Sequence, residues 1–162
     1  MKVQLNFILK NGYPCHMKGK LLVTVQFVLL GVLATTPSVN RSSGAALAAI
    51  ILILAAVALL LKSFRDLGDA LTPLPESKEG ASLVTSGIYK YLRHPIYLAL
   101  FLLAAGLVLW KQSWQSIAVS ILLIGLLIYK SRYEDSLLKI KFPESANYQN
   151  STPAFFLKIR RG

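Results

Sequence analysis

Two short clusters hold most of the residues in this chain whose types and spacing could do chemistry. The first ends the stretch Leu83–Tyr97, where Tyr89, Tyr91 and Tyr97, the cations Lys90 and Arg93, and His94 fall within nine residues. An apolar run from Ile96 to Trp110 follows at once. Pro95 suits the first turn of a helix, where its fixed φ is already right and its missing N–H is not needed. Arg93 and His94 would then stand at a helix N-terminus, where free N–H groups and the helix dipole favour an anion. The second cluster, Arg132-x-Glu134-Asp135, lies just beyond another apolar run. Ionisable groups gathered at the mouths of apolar helices mark a functional site. Each also has a plainer use. His94 can simply cap a helix, and the tyrosines can form an interfacial aromatic belt. Glu134 and Asp135 have Lys130 and Lys139 one turn away for solvated pairs, and Arg132 can be a topological anchor.

The elements that must position these clusters are apolar helices. Leu21–Thr36 and Ala45–Leu61 read as two membrane spans, Ile96–Trp110 as a third and Trp114–Tyr129 as a fourth. Each is near the lower end of the roughly 17–25 residues that cross a bilayer, so their ends can extend into the flanks. Lys111-Gln112-Ser113 is the only link between the last two, which predicts an antiparallel helical pair flanked by Trp110 and Trp114. That pairing sets the start of the third helix beside the end of the fourth, so that one pocket can draw on both clusters. Residues 1–20 carry four lysines and read as an interfacial segment without a signal-peptide core. Residues 62–95 form a long polar connection with nine charged residues and a Thr-Pro-Leu-Pro turn, a length that is usually functional. Lys130–Gly162 begins as a charged continuation of the fourth helix and ends in Phe155-Phe156-Leu157 and basic residues.

Composition agrees with this architecture. The 162 residues suffice for one domain, and 54% of them are hydrophobic, too many for an ordinary soluble domain. Mean hydropathy is +0.54. Cys15 alone excludes an internal disulfide, and with only His16 and His94 a zinc site is not expected. The net charge of +11 could suggest nucleic acid. Four spans, however, put sixteen of the eighteen basic residues on one side and leave Arg41 and Lys111 opposite. The positive-inside rule then explains the excess and predicts both termini in the cytoplasm; no nucleic-acid partner is expected.

The Arg93-His94-Pro95-x-Tyr97 cluster resembles the Arg-His-Pro-x-Tyr signature of the isoprenylcysteine carboxyl methyltransferase and phospholipid N-methyltransferase superfamily of small membrane enzymes. Glu134-Asp135 is similar to the acidic pair that follows the last span there, with Asp135 where a second glutamate is commoner. The upstream Leu67-Gly68, Leu71-Thr72-Pro73 and Leu83–Gly87 segments resemble it too, so the likeness covers about residues 62–157. After Phe142-Pro143 a single tyrosine, Tyr148, stands where two are usual.

The resemblance implies an all-α, polytopic membrane protein of four helices, with a cofactor pocket between the last helix pair and a cytoplasmic tail. It implies methyl transfer from S-adenosylmethionine to a lipid-like or prenylated acceptor. Arg93, His94, Arg132 and Glu134 are the catalytic candidates; Gly87, Tyr89, His94, Pro95, Tyr97, Glu134, Asp135 and Tyr148 are the cofactor-binding ones. The residue types suit that ligand. Glu134 and Asp135 can take an ammonium, Arg93, Arg132 or helix N–H groups a carboxylate, and the tyrosine faces a sulfonium or adenine. Glu134 is expected to matter more than Asp135, which one helix step turns about 100° away. An amine or hydroxyl acceptor would need a base, for which Glu134 is the candidate. The rival readings are an NADPH-dependent reductase of sterol-type lipids and a non-enzymatic membrane scaffold.

Overall fold

A computed structural model describes residues 13–39, 43–72, 74 and 82–155, apart from the side chains of 13–16. The expected interfacial segment up to residue 12, the two prolines of the Thr-Pro-Leu-Pro turn, and Phe156-Leu157 lie outside the described residues. Among those described the chain is all-helical, with α1 (Tyr13–Thr35), α2 (Ser43–Leu67), α3 (Pro95–Lys111), α4 (Trp114–Lys141) and the short α5 (Ser145–Ser151). Two 3-10 turns, Gly68–Ala70 and Gly87–Lys90, fall between α2 and α3. Three helices are long and apolar enough to cross a membrane: α1 from Met17, α2 with its 3-10 extension, and α4. The fourth apolar helix, α3, has 17 residues.

The helices overrun the apolar runs that announce them. Helix α1 begins at Tyr13 rather than Leu21, α2 continues through Lys62–Leu67, and α4 continues through Arg132 to Lys141. Nothing in Lys62-Ser63-Phe64-Arg65-Asp66-Leu67 breaks a helix, and hydrogen bonding propagates through polar residues as readily as apolar ones. At 28 residues, α4 is roughly 42 Å long, well beyond the ~30 Å hydrocarbon layer. Its charged end can therefore stand clear of the apolar zone and carry a site.

Small residues decide the packing. Helices α2 and α3 make the most intimate helix pair; at Gly106 a Cβ would lie 2.8 Å from Ile53 Cγ1 and 3.2 Å from the Ala49 carbonyl, so only glycine allows this approach. Leu33, Tyr97, Leu100, Ala104, Leu123 and Leu127 form the core among α1, α3 and α4. The outward faces stay apolar: Leu47, Ile51, Leu54 and Leu61 of α2 and Ile121 and Leu122 of α4 are exposed. Such a surface suits lipid, not water. At one end of the bundle Lys111 caps α1, its Nζ donating to the carbonyls of Ala34 and Thr36 at 2.8 Å each. The two-residue link Gln112-Ser113 turns the chain there, with Gln112 in the left-handed region (φ 50°) and the Ser113 hydroxyl accepting from the Ser116 N–H. The end of α2, the start of α3 and the end of α4 meet at the opposite end.

Candidate functional site

The end of α2 fastens the segment that carries the first cluster. Asp66 Oδ2 accepts from the Ile88 N–H at 2.7 Å, while Oδ1 pairs with Lys62 at 2.6 Å. Gly87, with φ +59°, turns the chain directly over that carboxylate, and any Cβ there would collide with it. Glycine is therefore required twice, for the left-handed backbone and for the close approach. The turn delivers Tyr89 into the interior, its hydroxyl 3.5 Å from the Ser63 carbonyl. From the far side Tyr148 of α5 donates to the Tyr89 carbonyl at 2.6 Å. Burial pushes the Tyr148 phenol up to about 12 and the Tyr89 phenol higher still, so both remain donors at neutral pH.

Three residues later the two clusters meet. Arg93 Nη1 donates to Asp135 Oδ2 at 2.7 Å, and His94 Nε2 lies 3.0 Å from Asp135 Oδ1. The other ring nitrogen, Nδ1, lies 3.6 Å from Glu134 Oε2, which also accepts from the Tyr97 hydroxyl at 2.8 Å. Both nitrogens of a histidine only 5% exposed thus face carboxylates, and its ring stacks on Tyr97 at 5.4 Å between centroids. His94 occupies the N-cap position of α3, yet its side chain makes no capping bond. Its backbone N–H and that of Arg93 donate instead to the Ala154 and Pro153 carbonyls, and Phe155 packs against the His94 ring. Gln149 of α5 donates to the Asp135 carbonyl at 2.9 Å.

These side chains line a cavity of about 300 Å³, at the small end of the range for ligand sites. Tyr89, Arg93, His94, Pro95, Tyr97, Glu134, Asp135 and Tyr148 all contribute to its wall. Two of the expected site residues do not. Gly87 acts beneath it through Asp66, and Arg132 is exposed and belongs to none of its walls. Asp135, expected to turn away, is instead the carboxylate that holds both Arg93 and His94. A helix wall about 100° wide can present successive residues when the partner helix start reaches between them, as Arg93-His94 does here. Sequence reading missed three contributors. Asp66 is an acid at a helix end that resembled a surface charge. Gln26, 8% exposed, is the one amide in the α1 apolar run, a detectable signal. Lys130 reads in the sequence as a topological cation or a solvated partner of Glu134, yet it is 3% exposed and donates to Gln26 Oε1 at 2.8 Å.

The arrangement can hold a zwitterion: carboxylates at one helix end, a guanidinium and helix N–H groups at the other. Among the described residues Arg93 Nε is buried without a partner, on a residue of the cavity wall, a donor suited to an incoming carboxylate. The rest of the wall is largely apolar, with Phe27, Phe64, Leu67, Leu71 and Leu83 among its residues.

Comparison with known proteins gives a family and two named relatives. A family model described as phospholipid methyltransferase matches residues 45–145. The cobalt-zinc-cadmium resistance protein CzcN of Cupriavidus metallidurans is 34% identical over 162 residues, 98% of this chain and 72% of that protein. The nickel-cobalt-cadmium resistance protein NccN of Alcaligenes xylosoxydans xylosoxydans is 37% identical over 84 residues, covering 51% of this chain and 39% of its own.

Proposed function

Because the chain belongs to the phospholipid methyltransferase family, we propose that it transfers a methyl group from S-adenosylmethionine to a lipid-like acceptor at the cytoplasmic membrane face. In this reading α1–α4 all cross the bilayer, and both termini and the cavity mouth face the cytoplasm. One observation carries it: a cavity that is polar where Arg93-His94 meets Glu134-Asp135 and largely apolar over the rest of its wall, so that charged and lipid-like groups can meet in one place.

The cofactor, when bound, supplies an electrophilic methyl group on a sulfonium. The chain's part is binding and orientation, the main source of acceleration in a displacement of this kind. Asp135 holds Arg93 and His94 in place. Arg93, through its partnerless Nε, takes the methionine carboxylate, and Glu134 takes the ammonium. The face of Tyr89 meets the cationic sulfur or the adenine, while Tyr97, stacked on His94, orients Glu134 through its hydroxyl. Glu134 is also the group within reach of an acceptor proton, should the acceptor be an amine or hydroxyl. Gly87 supports this assembly from below. Arg132, exposed on α4, is a topological anchor rather than a ligand in this reading.

The test is equilibrium binding of radiolabelled S-adenosylmethionine to the detergent-purified protein, with NADPH as competitor, followed by methyl incorporation into a total lipid extract. Saturable binding undisturbed by NADPH supports the proposal. Binding of NADPH alone would turn it into a reductase, and binding of neither would leave a membrane scaffold. The two relatives' names add a context to examine: growth of a deletion strain on cobalt, zinc, cadmium and nickel, with wild type or Glu134→Gln restored.

A further inference from the structure

Lys130 is buried where a lysine need not be. It lies 16 residues into α4, roughly 24 Å from the helix start, so its four-carbon stem could carry the ammonium outward to the headgroups. Its neighbours Tyr129 and Arg132 are exposed. Lys130 turns inward instead, is 3% exposed, and joins the cavity wall. An ammonium held at such depth needs an anion to face it. Glu134 is that anion, one turn along α4 and about 6 Å nearer its charged end, on the same cavity wall.

The contacts around the pair fix both members. The Lys130 ammonium donates to Gln26 Oε1 of α1 at 2.8 Å and lies 5.4 Å from the centre of the Tyr97 ring. Tyr97 in turn donates its hydroxyl to Glu134 Oε2 at 2.8 Å. One tyrosine thus meets the cation with its face and the carboxylate with its hydroxyl. The local charges explain why the carboxylate needs such support. Glu134 and Asp135 are neighbours, and the His94 ring stands against both. Two carboxylates so close favour protonation of one unless each has its own cation. Asp135 has Arg93 at 2.7 Å. Among the described residues, the charged and titratable groups that face Glu134 are Lys130 and Asp135 of α4, His94 and Tyr97 of α3, and Tyr89 of the preceding turn. Of these, Lys130 is the one whose ordinary form at neutral pH is a cation.

We propose that Lys130 is a positioning residue for Glu134: fixed to α1 through Gln26, its ammonium is the counter-charge that keeps Glu134 a carboxylate aimed into the cavity. This rests on the reading in which Glu134 takes the ammonium of S-adenosylmethionine, and it makes α1 a part of the cofactor site. Arg93 serves Asp135 and Lys130 serves Glu134, so both acids can stay charged side by side.

The experiment titrates the full chain in a neutral detergent by infrared spectroscopy, following the protonated-carboxyl band that Glu134→Gln removes, beside S-adenosylmethionine binding on the same preparation. In Lys130→Met, shown to melt as wild type does, the band should appear at a pH at least about one unit higher than in wild type, and Lys130→Arg should return it. Cofactor binding should be lost at a correspondingly higher pH, about tenfold weaker on the acid side. A lysine that only fills space would move neither. In the Glu134→Gln background Lys130→Met should weaken binding no further. Gln26→Leu, which frees the ammonium from α1, should move the band in the same direction by less, and it carries the test if Lys130→Met does not fold. An unmoved band in the folded variant, or a loss of binding as large in the Glu134→Gln background as in wild type, overturns the positioning role. A band that shifts as expected in a protein that binds no S-adenosylmethionine overturns the methyl-transfer reading alone and leaves the pairing of Lys130 with Glu134 standing.

Discussion

Asp135 is the residue on which the two clusters turn. One carboxylate receives the Arg93 guanidinium at 2.7 Å and the His94 ring at 3.0 Å, joining the start of α3 to the end of α4. Asp135→Asn removes the charge that both partners answer, and it should weaken S-adenosylmethionine binding by about 2–4 kcal/mol, the scale of breaking a desolvated pair. Glu134→Gln keeps an oxygen for the Tyr97 hydroxyl and should cost about 1–2 kcal/mol. Isothermal titration of both variants checks the order, and a larger effect at Glu134 would mean that its contact with the ammonium outweighs the support Asp135 gives to Arg93 and His94. His94→Asn separates capping from chemistry. Asparagine is a good N-cap, and the His94 side chain makes no capping bond, so the helix should lose nothing. Turnover should nevertheless fall at least about tenfold, ~1.4 kcal/mol of transition-state stabilisation, because the ring that faces both carboxylates is gone. Normal turnover in a folded variant would exclude His94 from the reaction.

At the scale of elements, the site depends on a latch between α2 and the turn that precedes α3. The Asp66 carboxylate meets the Ile88 N–H, and Gly87 passes over it with no room for a Cβ. Asp66→Ala leaves that N–H without its partner and should cost ~1–3 kcal/mol of stability, with faster amide exchange across residues 86–94. Asp66→Asn offers an oxygen to Ile88 and should recover most of the loss. Lys62→Ala removes only an exposed pair and should change little. Gly87→Ala should be the most damaging of the set, and less so when combined with Asp66→Ala, which clears the collision; thermal melts of the four variants and the double variant check this order. These elements were legible to different degrees in the sequence. The apolar runs announced every long helix, because hydropathy over ~20 residues is a strong local signal. The charged continuation of the fourth helix past Lys130 is legible in the sequence and extends to Lys141, whereas that of α2 through Lys62–Leu67 is not, because this stretch looks alike as surface loop or solvated helix until it packs. The Arg93-His94-Pro95 and Glu134-Asp135 clusters stood out as dense local patterns. The latch did not, since Asp66 and Ile88 are 22 residues apart and neither is unusual alone. Arg132 is the converse case: its type and spacing suit a ligand, but it is exposed and lies outside the cavity wall.

For the whole molecule, charge and packing lead to one arrangement. Lys111 ties the end of α3 to the end of α1, and Val39 donates its N–H to the Lys111 carbonyl at 2.9 Å. Those two ends therefore share one face, whose connections carry only Arg41 and Lys111 as cations. The opposite face gathers the end of α2, the start of α3, the end of α4 and α5, together with all the acidic side chains among the described residues. Moving the charged residues of that face across a bilayer would oppose the positive-inside preference many times over. The cavity should thus open to the cytoplasm, where a soluble, charged cofactor is present, while its apolar wall adjoins lipid. Single cysteines in a Cys15→Ser background test this. A label at Gln112 should react with a membrane-impermeant maleimide added outside intact cells, and one at Ser151 only after the membrane is opened. The position of α3 makes Gln112 the sharper probe. At 17 residues α3 is roughly 26 Å long, a little short of the hydrocarbon layer. If α3 nevertheless crosses, Gln112 lies outside. If Gln112 were protected from both sides, the α1 and α3 ends that Lys111 joins would stop short of the outer surface. Outside labelling of Ser151 would reverse the molecule and separate the cavity from its cofactor.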